Sequence, residues 1–590
     1  MEAATLIDVP AAVEPPGRTA AARLPPAARP DGLTGHRLLS LLGAAALFGP
    51  AFDTWSTIVG DPSIGAVSIA LTAGLLVMVC LIAMARDEER LSRLDVWLLV
   101  LGGLVLLAWM AAKLHAQSGY STDEASFEQG AANLLLHGHD PYGRNLTSSL
   151  YEFGTPARFW TYTMNGGAGN AYGYPSLPVL LVAPFVALTG NGQAVPMAGI
   201  VALLASVATV FFALPRPWRP AALIACAGFP ALAAFALSGL TAVLMLPAML
   251  AVAFRWTSVG IEGRLGRGGR WRAIALGAAL ATNQLAWFIA PFVVCGLFIL
   301  RSPQLGRRAA AGLLARYVGI AVGVFVSLNA PFLLADPGSW LNAIVSVATQ
   351  HALPYGQGLV GLSVFLGMGG GRIDAFAWTG TLTYLALLAV YLRHPRTLAR
   401  CCFVLPVLAL FVSGRSLSEY WMALLPVWVV SFAAPGPGAA WAPIGALGHS
   451  RGFALRRLRD GLLFAPAAGC LLLALATPQP LTLGIVSARS NPITDSVSRL
   501  TVAARNTSGD TLLPHFAVNS SGQATPFWRV LSGPRTIRPH AVATYVLEPP
   551  QATAAPGNGV TFLLQAVTDS PRTISSSGRF AQPGPVQGSW

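Results

Sequence analysis

The sequence predicts a polytopic α-helical membrane protein with about 11–13 transmembrane helices and a C-terminal extracytoplasmic β-sandwich domain. Three observations predict it. Hydrophobic residues make up 54% of the 590 and charged residues only 11%, against about 25% charged in soluble domains. Apolar runs of about 17–25 residues recur along the chain, joined by short arginine-bearing loops. After residue 485 the pattern changes to short, β-branched, partly alternating runs punctuated by Asn, Gly and Pro.

The net charge of +14 does not call for nucleic acid. The arginines sit in loops between apolar spans, where the positive-inside rule puts them. Lys113 is the single lysine, a bias that fits a GC-rich genome such as an actinobacterial one. The cysteines lie in or beside apolar spans without metal-ligand spacing, and the last hundred or so residues contain none, so no disulfide framework holds that region.

In chain order, residues 1–36 are rich in Ala, Pro and Arg and read as a disordered cytoplasmic tail. Spans follow at 38–57, 64–85 and 95–116. Arg18, Arg23, Arg29 and Arg37 precede the first; Arg86, Arg90 and Arg93 separate the second from the third. Both groups belong in the cytoplasm, so loop 117–173 faces outward. Next come apolar stretches at 176–189 and 194–214, the loop "PRPWRP", and stretches at 221–236 and 239–254 before a strongly basic loop. If both basic loops are inside, 221–254 is a hairpin with "LSG" at its outer turn, and 176–189, interrupted by Pro178 and Pro184, is re-entrant. If 176–189 spans, "PRPWRP" is outside. The pattern leaves both open.

The stretch 273–300 has basic loops at both ends, which a broken hairpin turning at Thr282, Asn283 and Gln284 accommodates. Residues 313–335 run outward to a second outer loop, 336–374, and 375–392 return. Spans at 402–413 and 420–433 flank an outer "SGRSLSEY"; 434–460 lie inside and 461–478 form the last span. The transmembrane unit thus covers 37–480, and 485–590 is an external β-sandwich of about a hundred residues.

The most polar part of the first half is "YSTDEASFEQGAANLLLHGHDPYG", residues 120–143. Ser121 and Glu124 have capping-box spacing, and Phe127, Ala131, Leu134 and Leu135 recur at helical intervals before Gly138 and Pro141. The pattern predicts a short helix in the interface plane, polar on the side carrying Glu128, Gln129 and Asn133. Asp123 and Glu124 are then explained as first-turn acids favoured by the macrodipole. The functional alternative makes Asp123 a general base at the lip of a cavity, its pKa raised by desolvation.

The acidic pair in the first large outer loop, the juxtamembrane helix, the "G-x-D-P-Y" sequence and the Tyr-Pro opening "GYPSLPVLLVAPF" resemble the GT-C superfamily of integral-membrane glycosyltransferases. The likeness is nearest to the bacterial polyprenol-phosphate-mannose-dependent mannosyltransferases and covers most of 95–433. The resemblance implies a GT-C-like fold and transfer of a sugar from a polyprenyl-phosphate donor to an envelope glycan or glycolipid acceptor. It also implies a catalytic base or metal-associated carboxylate at Asp123, with Glu124 as its neighbour. A divalent metal ion is an open alternative; no other cofactor is called for. Many members have a lysine in the later broken helix, where this chain offers Asn283 and Gln284.

Further candidates for substrate contact are Arg415, whose guanidinium could grip a phosphate, and Glu419, which could orient it or bind sugar hydroxyls. The plainer account of that pair is an interfacial salt bridge beside Tyr420 and Trp421. His351, Tyr355 and Gln357 sit in a Gly- and Pro-bearing loop, "P-x-G-x-G-L", suited to closing over substrate; a lone loop histidine is more often solvated. His139 and Asp140 are further candidates for substrate contact; His137 and His139, flanking Gly138, could supply metal ligands, a weak signal. Tyr142 and Tyr174 could stack on a sugar, as could Trp160 and Tyr162, although interfacial aromatics need no such reason. In the β-region, Phe516 and Trp528 read as core, and the domain as a docking or wall-facing module. Competing functions are a transporter or flippase of a lipid-linked precursor and a non-catalytic scaffold.

Overall fold

The computed structural model describes residues 32–57, 62–190, 192–394, 398–436, 459–491, 493–520, 526–550, 555–557 and 560–581. Residues 1–31 of the expected tail and 437–458 of the expected inner loop lie outside the described residues. The first helix already begins at Gly32, within the stretch read as tail.

Seven helices are long and apolar enough to cross a membrane, and a pair bent by 59° makes an eighth such segment among the described residues. Four shorter apolar helices accompany them. The chain is a multi-pass membrane protein. Helices α1 (Gly32–Thr57), α2 (Pro62–Met84) and α3 (Glu88–Ala116) pack together. Asp87 caps α3 by accepting from the Arg90 N–H, with Glu88 and Glu89 in the first turn and Lys113 and His115 in the last, charges that suit the helix dipole at both ends. Two polar clips, the first buried and the second partly exposed, join α1 to α3. At one end Asp95 bonds His36 (2.6 Å) and Ser40 (2.7 Å). At the other, Asp53 bonds Lys113 (2.8 Å) and Trp109 (2.7 Å).

The next segments are α4 (Asp123–Leu136), α5 (Thr147–Glu152), α6 (Leu177–Thr189) and α7 (Ala194–Ala213). Gln193, just before α7, donates to the Leu114 carbonyl at the end of α3 (2.7 Å). Leu177, at the start of α6, bonds the Ala281 carbonyl, and Ser176 bonds Asn329 (3.1 Å). As shown below, Ala281 and Asn329 lie at the same end as Leu114. Helix α6 therefore enters and leaves at one end of the bundle, which selects the re-entrant alternative. Pro220 of "PRPWRP" lies against Gly43 of α1. From there α8 (Ala221–Cys226) and α9 (Pro230–Leu237) form the bent crossing to Ser238, which bonds Ser121 and Thr122. Helix α10 (Thr241–Ala253) then turns back.

Helices α11 (Gly266–Leu280), α12 (Leu285–Leu305) and α13 (Arg307–Ala335) form a three-helix unit. Arg301, late in α12, bonds the Val259 carbonyl (2.6 Å), which precedes α11, so α11 and α12 are a hairpin with its break at 281–284. Gly277 of α11 abuts Ala321 of α13, which runs alongside α11 toward Asn329. Arg264, Arg267, Arg270 and Arg316 line one cleft at the opposite end, as charge pairing of the basic loops with one membrane face requires.

The stretch 336–374 is more ordered than the expected loop. Asp336 caps α14 (Pro337–Thr349) by accepting from the Ser339 N–H, with Pro337 at the first position, both strong helix-start signals. Trp340, Ala343 and Ile344 are buried while Leu341, Val345 and Val347 are exposed, a two-faced helix suited to lying between protein and lipid. Then come β1 (Tyr355–Gly356), α15 (Gly361–Leu366) and α16 (Asp374–Arg393). Strand β2 (Arg415–Ser416) pairs in parallel with β1, placing Tyr355 beside Arg415. Short helices at Leu405–Phe411, Glu419–Met422, Leu425–Ala433 and Ala465–Ala476 complete the bundle.

The remaining strands are β3 (Leu481–Ser490), β4 (Val497–Asn506), β5 (His515–Asn519), β6 (Arg529–Ser532), β7 (Val542–Glu548), β8 (Thr561–Asp569), β9 (Arg572–Ser576) and β10 (Phe580–Ala581). One sheet has the order β3-β4-β7-β6; in the other β8 pairs β5 on one side and β9 and β10 on the other. Leu500, Val502 and Tyr545 from the first meet Phe516, Phe562 and Leu564 from the second in one core. This is the expected sandwich, with Phe516 and Trp528 buried in it. It sits on the segment joining α14 to α16 and on the start of α16: Gln565 donates to the Val364 carbonyl (2.6 Å), and Ile574 packs with Val360, Val364 and Phe376.

Gly277 and Gly103 test the packing. A Cβ at Gly277 would stand 2.4 Å from the Ala321 carbonyl oxygen, whereas one at Gly103 meets nothing within 4 Å. Gly277→Ala should destabilise the solubilised protein by about 1–3 kcal/mol, while Gly103→Ala should be neutral or stabilising by up to about 1 kcal/mol. Thermal unfolding in one detergent reads both.

Candidate active site

A cavity of about 330 Å³ opens where the start of α4 meets the segments preceding α6 and α10 and the turn 415–420. Its polar walls include Asp123, Glu124, Arg158, Asn283, Gln350, Arg415 and Glu419. Aromatic rings fill the rest, among them Phe159, Trp160, Tyr162, Tyr172, Tyr174, Tyr355 and Tyr420.

The start of α4 explains how the acids are placed. The N-cap is Thr122, one residue later than the expected Ser121: its Oγ1 accepts from the Ala125 N–H (3.2 Å) and donates to the Ser238 carbonyl (2.7 Å). That second bond selects Thr122, because it ties the helix start to the turn before α10. Asp123 is then the first helical residue. Its Oδ1 accepts from the Glu124 N–H (2.9 Å) and its Oδ2 from the Thr161 N–H (2.6 Å), which arrives on the loop after α5. Each oxygen keeps a lone pair, and the group faces the cavity. Burial pushes the Asp123 carboxyl upward, and the Thr161 bond and the charge of Arg415 pull it back.

Glu124 is used differently. Its Oε1 accepts from the Thr241 N–H at the start of α10 (2.7 Å) and its Oε2 from the Tyr174 hydroxyl (2.8 Å). It is a clamp joining α4, α10 and the chain entering α6, strengthened by the dipole of α10. Asn283, at the break between α11 and α12, donates to Thr241 Oγ1 (2.7 Å) and extends the clamp to a fourth segment.

The opposite wall depends on close backbone approach. A Cβ on Gly356 (φ +116°) would stand 2.1 Å from the Ser416 carbonyl oxygen, and one on Gly358 would stand 2.3 Å from that of Phe411. The glycines of "PYGQGL" are there so that the chain can lie flush against "SGRSLSEY", a brace for Arg415 in place of the expected closing loop. Arg415 makes no ion pair among the described residues, and its Nε is buried without a partner. Glu419 begins the turn before Leu425–Ala433. The expected Arg415–Glu419 salt bridge is thus absent from the described contacts.

Several expected site residues lie elsewhere. His351 does not line the cavity and pairs with Asp569 of the β-sandwich (2.7 Å), holding that domain to the segment after α14. Gln357 and His139 are exposed, and neither lines the cavity. Asp140 accepts from the Tyr142 N–H (2.9 Å) in a local turn, and Tyr142 donates to the Tyr174 carbonyl (2.9 Å) behind the wall. Gln284 donates to the Gly173 carbonyl (2.7 Å), also as a support. Asp123, Glu124, Tyr174, Asn283, Arg415 and Glu419 are brought together. Helix α4 is not the expected interfacial helix: Glu128 and Gln129 on its polar face are fully buried.

Arg158, Thr161, Gln350 and Thr241 had no signal in the sequence. Arg158 sits in an ordinary loop, Thr161 and Thr241 meet the acids through backbone N–H groups from across the fold, and Gln350 lines the cavity just after α14. The metal alternative does not fit these walls. Among the described residues no three His, Cys, Asp or Glu groups converge to hold an ion, both oxygens of Glu124 are engaged by Thr241 and Tyr174, and His137 and His139 lie at the far, exposed end of α4.

No protein-family model and no curated protein matches the chain. Among solved structures, the crystal structure of ArnT from Cupriavidus metallidurans bound to undecaprenyl phosphate is similar at 15% identity and a TM-score of 0.35. The likeness covers 64% of this chain and 64% of that one, just under two thirds of its length. It is too weak to carry fold or function, which rest on the residues above.

Burial pushes the Glu419 carboxyl up from 4.5 to about 7; its own backbone N–H and Arg415 oppose the rise, and Glu124 adds to it. The folded protein therefore holds this proton more tightly than the unfolded chain between those values, so stability falls as pH rises through that window. Glu419→Gln removes the fall. Relative to wild type, the variant should gain about 2 kcal/mol between pH 4.5 and 7.5, measured by denaturation of the nanodisc-embedded protein at several pH values.

Proposed function

We propose that the protein is a GT-C-type membrane glycosyltransferase that moves a hexose or pentose from a polyprenyl-phosphate donor to an envelope glycan or glycolipid. The observation that carries the reading is the opposition of Asp123 and Arg415 in one aromatic-walled cavity at the end of a membrane bundle. The sequence resemblance supports it independently, as do the segments that α6 and the 281–284 break place at that end.

In this reading the lipid-borne donor arrives sideways from the bilayer, with its phosphate at Arg415. The acceptor hydroxyl bonds to the free lone pair of Asp123. As its oxygen attacks the anomeric carbon, its proton passes to the carboxylate, and the bond from that carbon to the phosphate oxygen breaks with inversion. Asp123 is held for this by two backbone N–H groups, so little reorganisation is needed as charge develops. Its raised pKa brings a carboxylate closer to the basicity such a step requires. Trp160, Tyr162 and Tyr355 offer faces to the sugar ring, and Glu124 keeps the walls in register. The arginine-lined end is cytoplasmic and the cavity and β-sandwich are extracytoplasmic.

A transporter would also use a re-entrant helix and a broken one, and carriers likewise place carboxylates in their cavities. Transfer assays in membranes separate the two. Asp123→Asn should cut transfer from a panel of short-chain polyprenyl-phosphate hexoses and pentoses by about 10²–10⁴-fold at wild-type expression, while Gln357→Ala keeps the wild-type rate. Transbilayer movement of labelled donor by the wild type with no transferred product would establish the transporter instead.

A further inference from the structure

Three carboxylates line the cavity, and they are not equivalent. Both oxygens of Asp123 accept backbone N–H groups, and both oxygens of Glu124 accept from Thr241 and Tyr174. Glu419 lines the same cavity, yet no other residue among those described donates to its carboxylate. Four positions earlier Arg415 turns its guanidinium to the same space without an ion pair, its Nε buried and unpartnered. A carboxylate and a guanidinium side by side on one short turn, neither engaged with the other, are the two groups a departing phosphate would need.

We propose that Glu419 is the general acid of the transfer, handing its proton to the lipid-phosphate oxygen that leaves the anomeric carbon while Arg415 holds the phosphate's charge. The inference rests on the glycosyltransferase reading. In the step, the acceptor oxygen forms its bond to the anomeric carbon and loses its proton to Asp123. The pair of electrons in the bond from that carbon to the phosphate oxygen goes to that oxygen, which takes the Glu419 proton. Water then carries one proton from Asp123 back to Glu419, so the products are the glycoside and a polyprenyl phosphate monoester bearing one proton.

Charge counting supports the assignment. The groups facing Glu419 are Arg415 and Tyr420 on its own turn, Asp123 and Glu124 on α4, Arg158 on the loop after α5, and Tyr174 before α6. An ionised Glu419 would add a negative charge to a cavity that already holds two other carboxyl groups and oppose an arriving phosphodiester. A neutral Glu419 adds none, and the neutral acid is also a hydrogen-bond donor. Burial keeps the proton on it to about 7, and a group poised there can release it when the phosphate acquires its second charge. Asp123 and Glu419 then form an unlike pair, one accepting and one donating, set apart by their surroundings.

The test uses the full-length protein in nanodiscs and two donors: a short-chain polyprenyl-phosphate sugar, and the same sugar on a polyprenyl phosphate fluorinated beside the ester, which departs as a weaker base. Wild type should lose rate on the alkaline side of about pH 7. Glu419→Gln, which keeps shape and hydrogen bonding but cannot give up a proton, should lose that alkaline limb and fall by about 10²-fold. It should recover at least about tenfold relative to wild type with the fluorinated donor, whereas Asp123→Asn should not recover. An unchanged alkaline limb in Glu419→Gln, a wild-type rate, or an equal defect with both donors overturns the assignment and leaves the glycosyltransferase reading standing. If the wild type transfers sugar from no donor in the panel, that reading fails and takes this one with it.

Discussion

The site depends on one partly buried carboxylate that ties four segments together. Glu124 accepts from the first N–H of α10 and from the Tyr174 hydroxyl, and Asn283 reaches the same Thr241 from the α11–α12 break. A carboxylate placed in an apolar body with these donors missing would carry an uncompensated desolvation cost of several kcal/mol. The pairing therefore obliges α4, α10, the α11–α12 turn and the chain entering α6 to meet at one point. Everything that makes the cavity follows from that meeting, including the position of Asp123 one residue earlier on the same helix turn.

The facing wall has a different physical basis. Arg415 is held by contact between backbones, made possible by two glycines that leave no room for a Cβ, and by a two-residue parallel pairing with Tyr355. The β-sandwich contacts this wall through His351–Asp569 and Gln565–Val364, two bonds that anchor the stretch between α14 and α16. One wall thus rests on charge-assisted hydrogen bonds and the other on steric fit, and they fail to different insults: pH and charge substitution on one side, added volume on the other.

Much of the architecture was legible from residue 38 onward because lipid imposes long apolar runs and arginines mark one face. The hairpin at Thr282–Gln284 followed from that rule, and the turn at Ser238 from one of the two arrangements it left open. The re-entrant status of 176–189 was one of two open alternatives, since an interrupted apolar stretch scores the same whether it crosses or returns; Gln193 resolves it by bonding back to Leu114. Asp123, Glu124, Tyr174, Asn283, Arg415 and Glu419 were visible as polar residues at the outer ends of spans. Their division of labour was not, because Asp123 and Glu124 differ only in which backbone N–H each meets across the fold. His351, Gln357, His139, Tyr142 and Gln284 stood in equally suggestive loops, and their side chains went to structural partners or to solvent. Helix α14 was missed because Gly and Pro around it read as loop, although "DPGS" is a cap followed by a first-turn proline.

The central claim is spatial: a lipid-borne sugar phosphate lies between Asp123 and Arg415. The most direct measurement is a structure of the nanodisc-embedded protein with a non-reacting polyprenyl phosphonate-sugar analogue. The account predicts phosphonate oxygens within hydrogen-bonding distance of the Arg415 guanidinium, the anomeric carbon turned toward Asp123, and the lipid tail leaving the cavity into the bilayer. Analogue bound at another surface, or in the cavity with its anomeric carbon turned away from Asp123, would contradict it.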